Sequence, residues 1–227
     1  MTGSQTTIAP NAFYHGHVRT DVVPHIPNTG GTLLDFGGGY GATGAHLRAV
    51  GSVDRAGVAD LIDNSDSNLE LDFSYQADLE TPGLISKIVD EHGQFQIILA
   101  LDILEHLRDP WHIAAQLADG LAENGYLVIS LPNIRNYRAL GPLLFRNKWD
   151  YKEAGILDRT HLRFFVRETA IELVEQTGLH IHNVASSASG GRKIAWLRRL
   201  TLGVFNSFTD RQYIIVAQKR ADKAERS

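Results

Sequence analysis

The chain has 227 residues, a formal charge of −4 at pH 7 and no cysteine. That length fits one α/β domain, and a content of 43% apolar and 21% charged residues is ordinary for a globular protein. The missing cysteines exclude disulfides, a thiol nucleophile and thiolate metal sites, and the acidic balance argues against a general nucleic-acid binder.

No secretory signal pattern opens the sequence, and no apolar run approaches the roughly 20 residues of a membrane span. We therefore expect a cytoplasmic protein with a single domain over residues 11–218. The polar ends, residues 1–10 and 219–227, are predicted to be disordered tails.

The first half of the chain is predicted to alternate strands and helices. Residues 11–27 predict a short helix that ends at Pro24 and Pro27, and this helix places Tyr14 and Arg19 just before a glycine-rich turn. The next elements are predicted at 33–36 (strand), 42–50 (helix), 53–61 (strand), 73–79 (strand) and 82–91 (helix).

The second half continues the alternation and adds one irregular segment. Residues 95–101 are almost all apolar, as expected of a central parallel strand. Residues 134–165 mix aromatic, charged and histidine side chains without a clear period, so we interpret them as a substrate lid. The other elements are predicted at 110–122 (helix), 126–131 (strand), 168–177 (helix), 180–185 (strand), 192–208 (basic amphipathic helix) and 211–217 (strand).

Repeated strand, helix, strand units predict an α/β fold with a Rossmann-like, doubly wound and mostly parallel sheet. Ligands of such sheets bind at the carboxyl ends of the strands. Four of the predicted strands end close to an acid, namely Asp35, Asp60, Asp78 and Asp102. This edge of the sheet is therefore the predicted ligand site.

The first strand runs into a turn with five glycines in eight positions: Gly37, Gly38, Gly39, Gly41 and Gly44. Such a turn lets a ligand touch the backbone, and the spacing G-x-G-x-x-G also occurs in dinucleotide sites. The carboxylate of Asp35, two residues earlier, would repel a pyrophosphate and attract an ammonium group. A ligand with an amino-acid end, a ribose and an adenine fits these acids, which indicates S-adenosylmethionine.

The same motifs resemble a known family. Residues 34–41 resemble the first motif of the class I S-adenosylmethionine-dependent methyltransferases, and residues 102–110 with 130–133 resemble the ends of their fourth and fifth strands. Residues 149–165 look like a bacterial subgroup associated with glycosyltransferase and surface-glycan genes. The resemblance covers residues 12–218. It implies seven strands, with the last one antiparallel between strands five and six.

The resemblance also implies where the cofactor binds. Asp35 and the glycine backbone would face the methionine end, and Asp60 the ribose. The family usually has this acid one residue earlier, so Asp63 is kept as the alternative ribose ligand. Asp78 and Leu79 would face the adenine. The full set of implied cofactor residues is Tyr14, Arg19, Asp35, Gly37, Gly38, Gly39, Gly41, Asp60, Asp78, Leu79, Leu101 and Asp102.

A second group of polar residues could perform the chemistry. Asp102, Glu105 and His106 have the spacing of one helical face, and His161 lies in the lid. Together they are similar to the metal-binding arrangement of small-RNA 2′-O-methyltransferases and of some ubiquinone-biosynthesis O-methyltransferases. One interpretation is a divalent ion, Mg²⁺ or its competitors Mn²⁺ and Zn²⁺, on all four residues. The metal-free interpretation makes His106 or His161 a general base with Glu105 as its partner.

We expect an enzyme that transfers a methyl group to an oxygen of a sugar, a glycan or nucleotide-sugar precursor, or a related small molecule. One alternative is N-methylation of an amino sugar or natural product. Another is a non-catalytic, cofactor-binding domain that regulates a partner through residues 192–208, which could equally lie on a membrane surface. No nucleic-acid partner is expected, and the oligomeric state stays open, with a homodimer among the options.

Overall fold

In the computed structural model, residues 16–65, 67–188, 199–200 and 205–221 are described. They contain seven strands: β1 Thr32–Phe36, β2 Arg55–Asp60, β3 Phe73–Gln76, β4 Phe95–Leu101, β5 Leu121–Pro132, β6 His180–Ala188 and β7 Asp210–Gln218. The longer helices are α1 Ala42–Ala49, α2 Leu84–His92, α3 Pro110–Asp119, α4 Tyr137–Arg146 and α5 Arg167–Glu175. Short helical turns are Val23–His25, Leu104–His106 and Asn206–Thr209.

The seven strands form one sheet in the order β3-β2-β1-β4-β5-β7-β6. All neighbours are parallel except β7, which lies antiparallel between β5 and β6. The predicted fold class, including the place of the last strand, is confirmed. The strand order reverses between β1 and β4, and the crevice at such a switch point is where doubly wound sheets bind ligands.

Alternating side chains of the strands fill two cores, one on each face of the sheet. Leu34 and Phe36 face the core beneath α2, α3 and α5, and Leu33 faces the core beneath α1. Every residue of β4 except Gln96 is buried, as predicted from its apolar run. Burial of each leucine or isoleucine stabilises the fold by about 1.5–3 kcal/mol, so these cores hold the strand ends in place.

Three elements differ from the sequence predictions. The helix predicted over residues 11–27 is wrong in its described part, because residues 16–22 are not helical and only Val23–His25 make one turn. A short helix of this kind has little stability of its own, and tertiary bonds of Arg19 hold the segment instead. Helix α3 ends at Asp119, since β5 begins at Leu121 rather than at 126.

The lid is more regular than its sequence pattern indicates. Its first half contains α4, whose N-cap Asn136 accepts a hydrogen bond from the Arg138 backbone N–H. Lys219, at the start of the predicted tail, continues the sheet through hydrogen bonds with Asn124 and Gly125. Tyr14, Asp66, residues 192–198 and residues 201–204 lie outside the described residues. No helix in the described part of the chain has the length and apolarity to span a bilayer.

Candidate active site

The glycine turn holds its backbone against the carboxylate of Asp35. Gly37, Gly39 and Gly41 have φ angles of 79°, 59° and 77°, a region that L side chains rarely adopt. A Cβ added at Gly38 would lie 2.2 Å from Asp35 Cγ, so any side chain there would displace the acid. The sequence of the turn therefore fixes both an open backbone surface and the position of Asp35.

Asp35 is a buried carboxyl without full hydrogen bonding. Its side chain is 2% exposed, and its Oδ1 atom has no hydrogen-bond partner. Burial raises its pKa to about 7, the Asp60 carboxylate adds to this, and the Gly44 backbone N–H and Arg19 act in the opposite direction. A positively charged ligand group would offset the cost of ionising this carboxyl.

The two candidate ribose acids differ in position. Asp60 ends β2 and accepts hydrogen bonds from the backbone N–H groups of Gly39, at 2.8 Å, and Ile62, at 3.0 Å. It therefore lies against the glycine turn. Asp63 is fully exposed and accepts a hydrogen bond from the Ser65 backbone N–H. Of the two, only Asp60 is in contact with the turn.

The residues implied for the adenine end lie after β3. Asp78 is exposed, and its Oδ1 accepts a hydrogen bond from the Glu80 backbone N–H at 3.0 Å. The Leu79 side chain is 4% exposed and packs in the core beneath α2 and α3. Its side chain is therefore structural, and an adenine would meet the backbone or the Asp78 side of this turn.

An N-terminal segment crosses the carboxyl ends of the central strands. The Arg19 guanidinium lies 2.6 Å from Asp102 Oδ2 and also pairs with Asp21. Asp21 in turn accepts a hydrogen bond from Gln212 of β7 at 2.6 Å. These bonds join residues that are far apart in sequence, and they place a cation at the mouth of the crevice between β1 and β4.

Asp102 follows β4 and has a φ angle of 52°, which is unusual for a residue other than glycine. Its Oδ1 accepts a hydrogen bond from the Ser130 hydroxyl at 2.6 Å, and the same hydroxyl oxygen accepts the Asp102 backbone N–H. The left-handed backbone thus turns the carboxylate toward Ser130 and Arg19. Leu101, the residue before it, is 8% exposed.

Glu105, His106 and His161 come together beside Asp102. One ligand atom of each of the three lies within 4.8 Å of the others, and the two imidazole ring centres are 4.7 Å apart. The Glu105 carbonyl oxygen accepts the backbone N–H groups of Leu162 and Arg163, at 2.8 and 3.0 Å. The lid is therefore attached by its backbone to the turn that bears Glu105 and His106.

The hydrogen bonds of the two imidazoles assign their tautomers. His161 Nδ1 lies 3.1 Å from the Ile156 carbonyl oxygen, and His106 Nδ1 lies 3.3 Å from the Thr160 carbonyl oxygen and 3.0 Å from its hydroxyl. A carbonyl oxygen only accepts, so both Nδ1 atoms carry the proton. In its neutral form, each imidazole then presents an unprotonated Nε2 that can take a proton or bind a cation.

Burial disfavours charge on this cluster. It raises the pKa of Glu105 well above its usual range, with a further contribution from the Asp102 carboxylate. Burial also lowers the pKa of His161 below 6.5, and the nearby His106 adds to this. Glu105 Oε1 lies 3.9 Å from His161 Nε2, beyond hydrogen-bond distance, and its Oε2 has no partner. The cluster can therefore receive an additional hydrogen-bond donor or cation.

The structure brings together three of the four residues proposed as metal ligands. Asp102 is the exception, since its carboxylate oxygens are held by Ser130 and Arg19. The expected helical face starting at Asp102 does not form, because the turn begins only at Leu104. A cation at Glu105, His106 and His161 would have Asp102 as a neighbouring charge.

Sequence reasoning missed three supporting residues. Ser130 is fully buried and fixes Asp102, and its signal was a hydroxyl inside the apolar strand β5. Asp158 accepts hydrogen bonds from the backbone N–H and hydroxyl of Thr160, at 2.8 and 2.6 Å, so the hydroxyl oxygen is left to accept His106 Nδ1–H. Nothing in the sequence pattern of the lid indicated this pair.

Comparison with known proteins decides the family. A family model described as a methyltransferase domain matches residues 17–184. The chain belongs to this methyltransferase family. It is an S-adenosylmethionine-dependent methyltransferase. The first motif of the sequence, residues 34–41, had indicated the same family.

One curated relative is similar in sequence, and two solved structures are similar in fold. The chain is 26% identical over 183 residues to a ubiquinone biosynthesis O-methyltransferase of Burkholderia pseudomallei, covering 73% of this chain and 74% of the relative. A methyltransferase structure from Archaeoglobus fulgidus matches with a TM-score of 0.59 and 15% identity, over 88% of this chain and 90% of the other. N-methyltransferase NodS from Bradyrhizobium japonicum, solved with S-adenosylhomocysteine, matches with a TM-score of 0.54 and 14% identity, over 92% and 87%.

Proposed function

We propose that this methyltransferase acts on a hydroxyl oxygen of a sugar, a glycan or nucleotide-sugar precursor, or a related small molecule. The observation that supports this proposal is the cluster of Glu105, His106 and His161, in which both Nδ1 atoms contact backbone carbonyls and one Glu105 carboxyl oxygen has no partner. A hydroxyl must lose its proton during methylation, and this cluster can receive it. The matched relative, named an O-methyltransferase, supports an oxygen acceptor.

The cofactor would lie across the carboxyl ends of β1, β2 and β4. Asp35 would attract the ammonium group at the methionine end of the cofactor. Arg19 would pair with the carboxylate at that same end. Asp60, beside the glycine turn, would accept the ribose hydroxyls. The other proposed contacts are the backbone of Gly37, Gly38, Gly39 and Gly41, the turn at Asp78 and Leu79, and the strand end at Leu101 and Asp102.

The reaction is an in-line displacement at the methyl carbon. The acceptor oxygen forms a bond to this carbon as the carbon–sulfur bond breaks, and the neutral thioether leaves as S-adenosylhomocysteine. The hydroxyl proton passes to Nε2 of His161 or His106. Because burial lowers the pKa of His161, its imidazole is neutral at pH 7 and available as the base. Glu105 would be the buried carboxyl partner of these imidazoles, with its Oε1 3.9 Å from His161 Nε2.

A divalent ion on Glu105, His106 and His161 is the second candidate for the same site. Two imidazoles and one carboxyl group, largely buried, form a donor set that suits Mn²⁺ or Zn²⁺ better than Mg²⁺. The Nδ1–H bonds of both histidines to backbone carbonyls are the outer contacts usual for metal-bound imidazoles. Such an ion would lower the pKa of a bound hydroxyl. Full activity after EDTA treatment, with no metal in the purified protein, would exclude this version.

Transfer of a labelled methyl group to a panel of sugars, nucleotide sugars, catechols and amino sugars tests the proposal. His161→Ala and His106→Ala should each lower kcat by about 10²- to 10⁴-fold while S-adenosylhomocysteine still binds. In the unmodified protein, kcat should fall as pH drops below about 6.5, because the base becomes protonated. If the residual rate of the His161 variant lacks this fall, His161 is the base. Unchanged kcat in both variants would overturn the assignment.

The same panel separates the alternatives. Product from amino sugars alone would support N-methylation, for which NodS provides only a likeness of fold. Cofactor uptake without any product would favour a regulatory domain.

A further inference from the structure

Helix α4 presents apolar side chains to solvent instead of burying them. Ala139 is its only buried residue. Leu143, Leu144 and Phe145, at its C-terminal end, are 39%, 65% and 86% exposed. An amphipathic helix of a globular protein normally packs such residues on the core, and clustered exposed apolar residues mark an interaction surface.

Basic residues outnumber acids around α4. Residues 124–149 contain Arg135, Arg138, Arg146 and Lys148 but no acid, in a chain whose formal charge is −4. Lys148 pairs with Asp150 at 2.6 Å, while Arg135 and Arg138 lie over the rings of Phe208 and Tyr137. Arg146 and the ion-paired Lys148 therefore adjoin the apolar end of α4, and Arg135 and Arg138 lie at its start. We name α4 together with Arg135 and Lys148 the basic apolar surface.

Aromatic contacts connect the lid beside this surface with the candidate active site. Trp149 follows α4 and contacts Phe164, with ring centres 5.8 Å apart. Phe164 in turn lies 6.4 Å from the ring of His161. Leu162 and Tyr151 of the same lid are 48% and 59% exposed. The apolar exposure thus continues from α4 toward the mouth of the site.

We propose that the basic apolar surface docks this enzyme on an anionic lipid bilayer. Leucine and phenylalanine side chains gain free energy by entering the boundary between headgroups and acyl chains, and each nearby Arg or Lys is attracted to anionic headgroups. The exposed leucines favour lipid over nucleic acid, since aliphatic side chains gain nothing from phosphates and cannot stack on bases as aromatic rings do. This docking is independent of the acceptor proposed above.

Vesicle flotation with the full chain tests the proposal. The protein should bind phosphatidylcholine vesicles that contain phosphatidylglycerol, bind pure phosphatidylcholine much more weakly, and dissociate at about 0.5 M NaCl. Leu144→Ser/Phe145→Ser and Arg138→Gln/Arg146→Gln should each lower the partition coefficient by about tenfold or more. Val50→Ser removes an apolar residue that is 59% exposed at the end of α1, and it should bind like the unmodified protein.

Other occupants of the surface give different results. Equal binding by all variants, or no binding at all, would overturn the proposal. A lower melting temperature of Leu144→Ser/Phe145→Ser would mean that the chain itself covers these residues. Conversion of a dimer to a monomer by that variant, measured by light scattering, would assign the surface to a second copy. Tight binding of an RNA oligonucleotide without vesicle binding would assign it to nucleic acid.

Discussion

Asp35 and Glu105 are buried acids at the ends of neighbouring strands, and both lack a hydrogen-bond partner for one oxygen. Burial raises the pKa of each. A fold selected for stability alone would replace or pair such groups. Their position beside the glycine turn and the two histidines fits the proposed ligand site, where a ligand would supply the missing partner.

Asp35→Asn should make the cofactor-free protein less sensitive to pH. The folded pKa of about 7 lies above the unfolded value of 3.8, so the folded state binds more protons between these values. The free energy of unfolding therefore falls as pH rises from about 3.8 to about 7, by up to about 4 kcal/mol. The variant should lose less stability between pH 5 and 8 in urea unfolding and should bind S-adenosylhomocysteine more weakly.

Asp90→Asn, at an exposed carboxyl of α2, is the matched control and should behave like the unmodified protein. A variant of Asp35 with an unchanged pH dependence would contradict the raised pKa.

Thr160→Val should test how His106 is positioned. This change is nearly isosteric, but it removes the hydroxyl that links His106 Nδ1 to the Asp158 carboxylate. The remaining carbonyl contact is longer, at 3.3 Å, so the ring is held less firmly. We expect a fall in kcat of about 10- to 100-fold, with little change in cofactor affinity.

Thr160→Ser keeps the hydroxyl and should restore most of the rate. If the valine variant changes the melting temperature but not kcat, Thr160 has only a structural role.

Residue identity at the site was predictable only in part. The sequence indicated that Asp35 lies beside the glycine turn, because it precedes Gly37 by only two positions. It also indicated that Glu105 and His106, which are adjacent in sequence, lie in one turn. Distances across the fold were not accessible, and so the sequence could not assign Asp102 to Arg19 and Ser130, which are 83 and 28 residues away. Nor could it decide between Asp60 and Asp63, because a shift of one residue would turn the Asp60 side chain to the other face of the strand, away from Gly39.

At the scale of elements, the lid is attached to the sheet by two buried asparagines. The Asn133 and Asn136 amides both donate to the Asp210 carbonyl oxygen at the start of β7, at 2.9 and 2.8 Å. Asn136 also caps α4. Helix α4 was not predicted, because Gly141 and Pro142 interrupt its pattern and its apolar side faces solvent rather than a core.

Asn136→Ala should lower the free energy of unfolding by about 1–3 kcal/mol. It removes the N-cap of α4 and one buried hydrogen bond to Asp210. Asn136→Ser retains a capping oxygen and should lose less. Urea unfolding measures both, and hydrogen exchange should increase in α4 more than in β7. Equal losses in the two variants would show that the cap contributes nothing.

The whole molecule is held together across its sheet by contacts between distant parts of the chain. The doubly wound sheet and the antiparallel β7 between β5 and β6 were predictable from the alternation of elements and from the family resemblance. The N-terminal segment did not follow, since its position depends on Arg19 meeting Asp102 and on Asp21 meeting Gln212. These bonds lie across the proposed cofactor crevice, so ligand binding there should stabilise the entire domain.

S-adenosylhomocysteine at about 100 times its Kd should stabilise the protein by about 2.7 kcal/mol. For a domain of this size, that corresponds to a rise in melting temperature of about 5–10 °C. Above pH 7, where the Asp35 carboxyl is ionised and would repel a pyrophosphate, NADH at the same concentration should give no rise. Equal shifts with both ligands would contradict the role given to this acid.

The contact between Gly37 and Ile103 has a consequence for attempts to change the acceptor. A Cβ at Gly37 would lie 2.4 Å from Ile103, so the glycine turn and the turn that bears Glu105 pack directly on each other. Libraries that vary Ile103 would therefore disturb cofactor binding along with selectivity. The lid joins the same turn through backbone hydrogen bonds to the Glu105 carbonyl, which tolerate any side chain. Directed evolution toward new acceptors should begin at residues 149–157 and leave residue 103 unchanged.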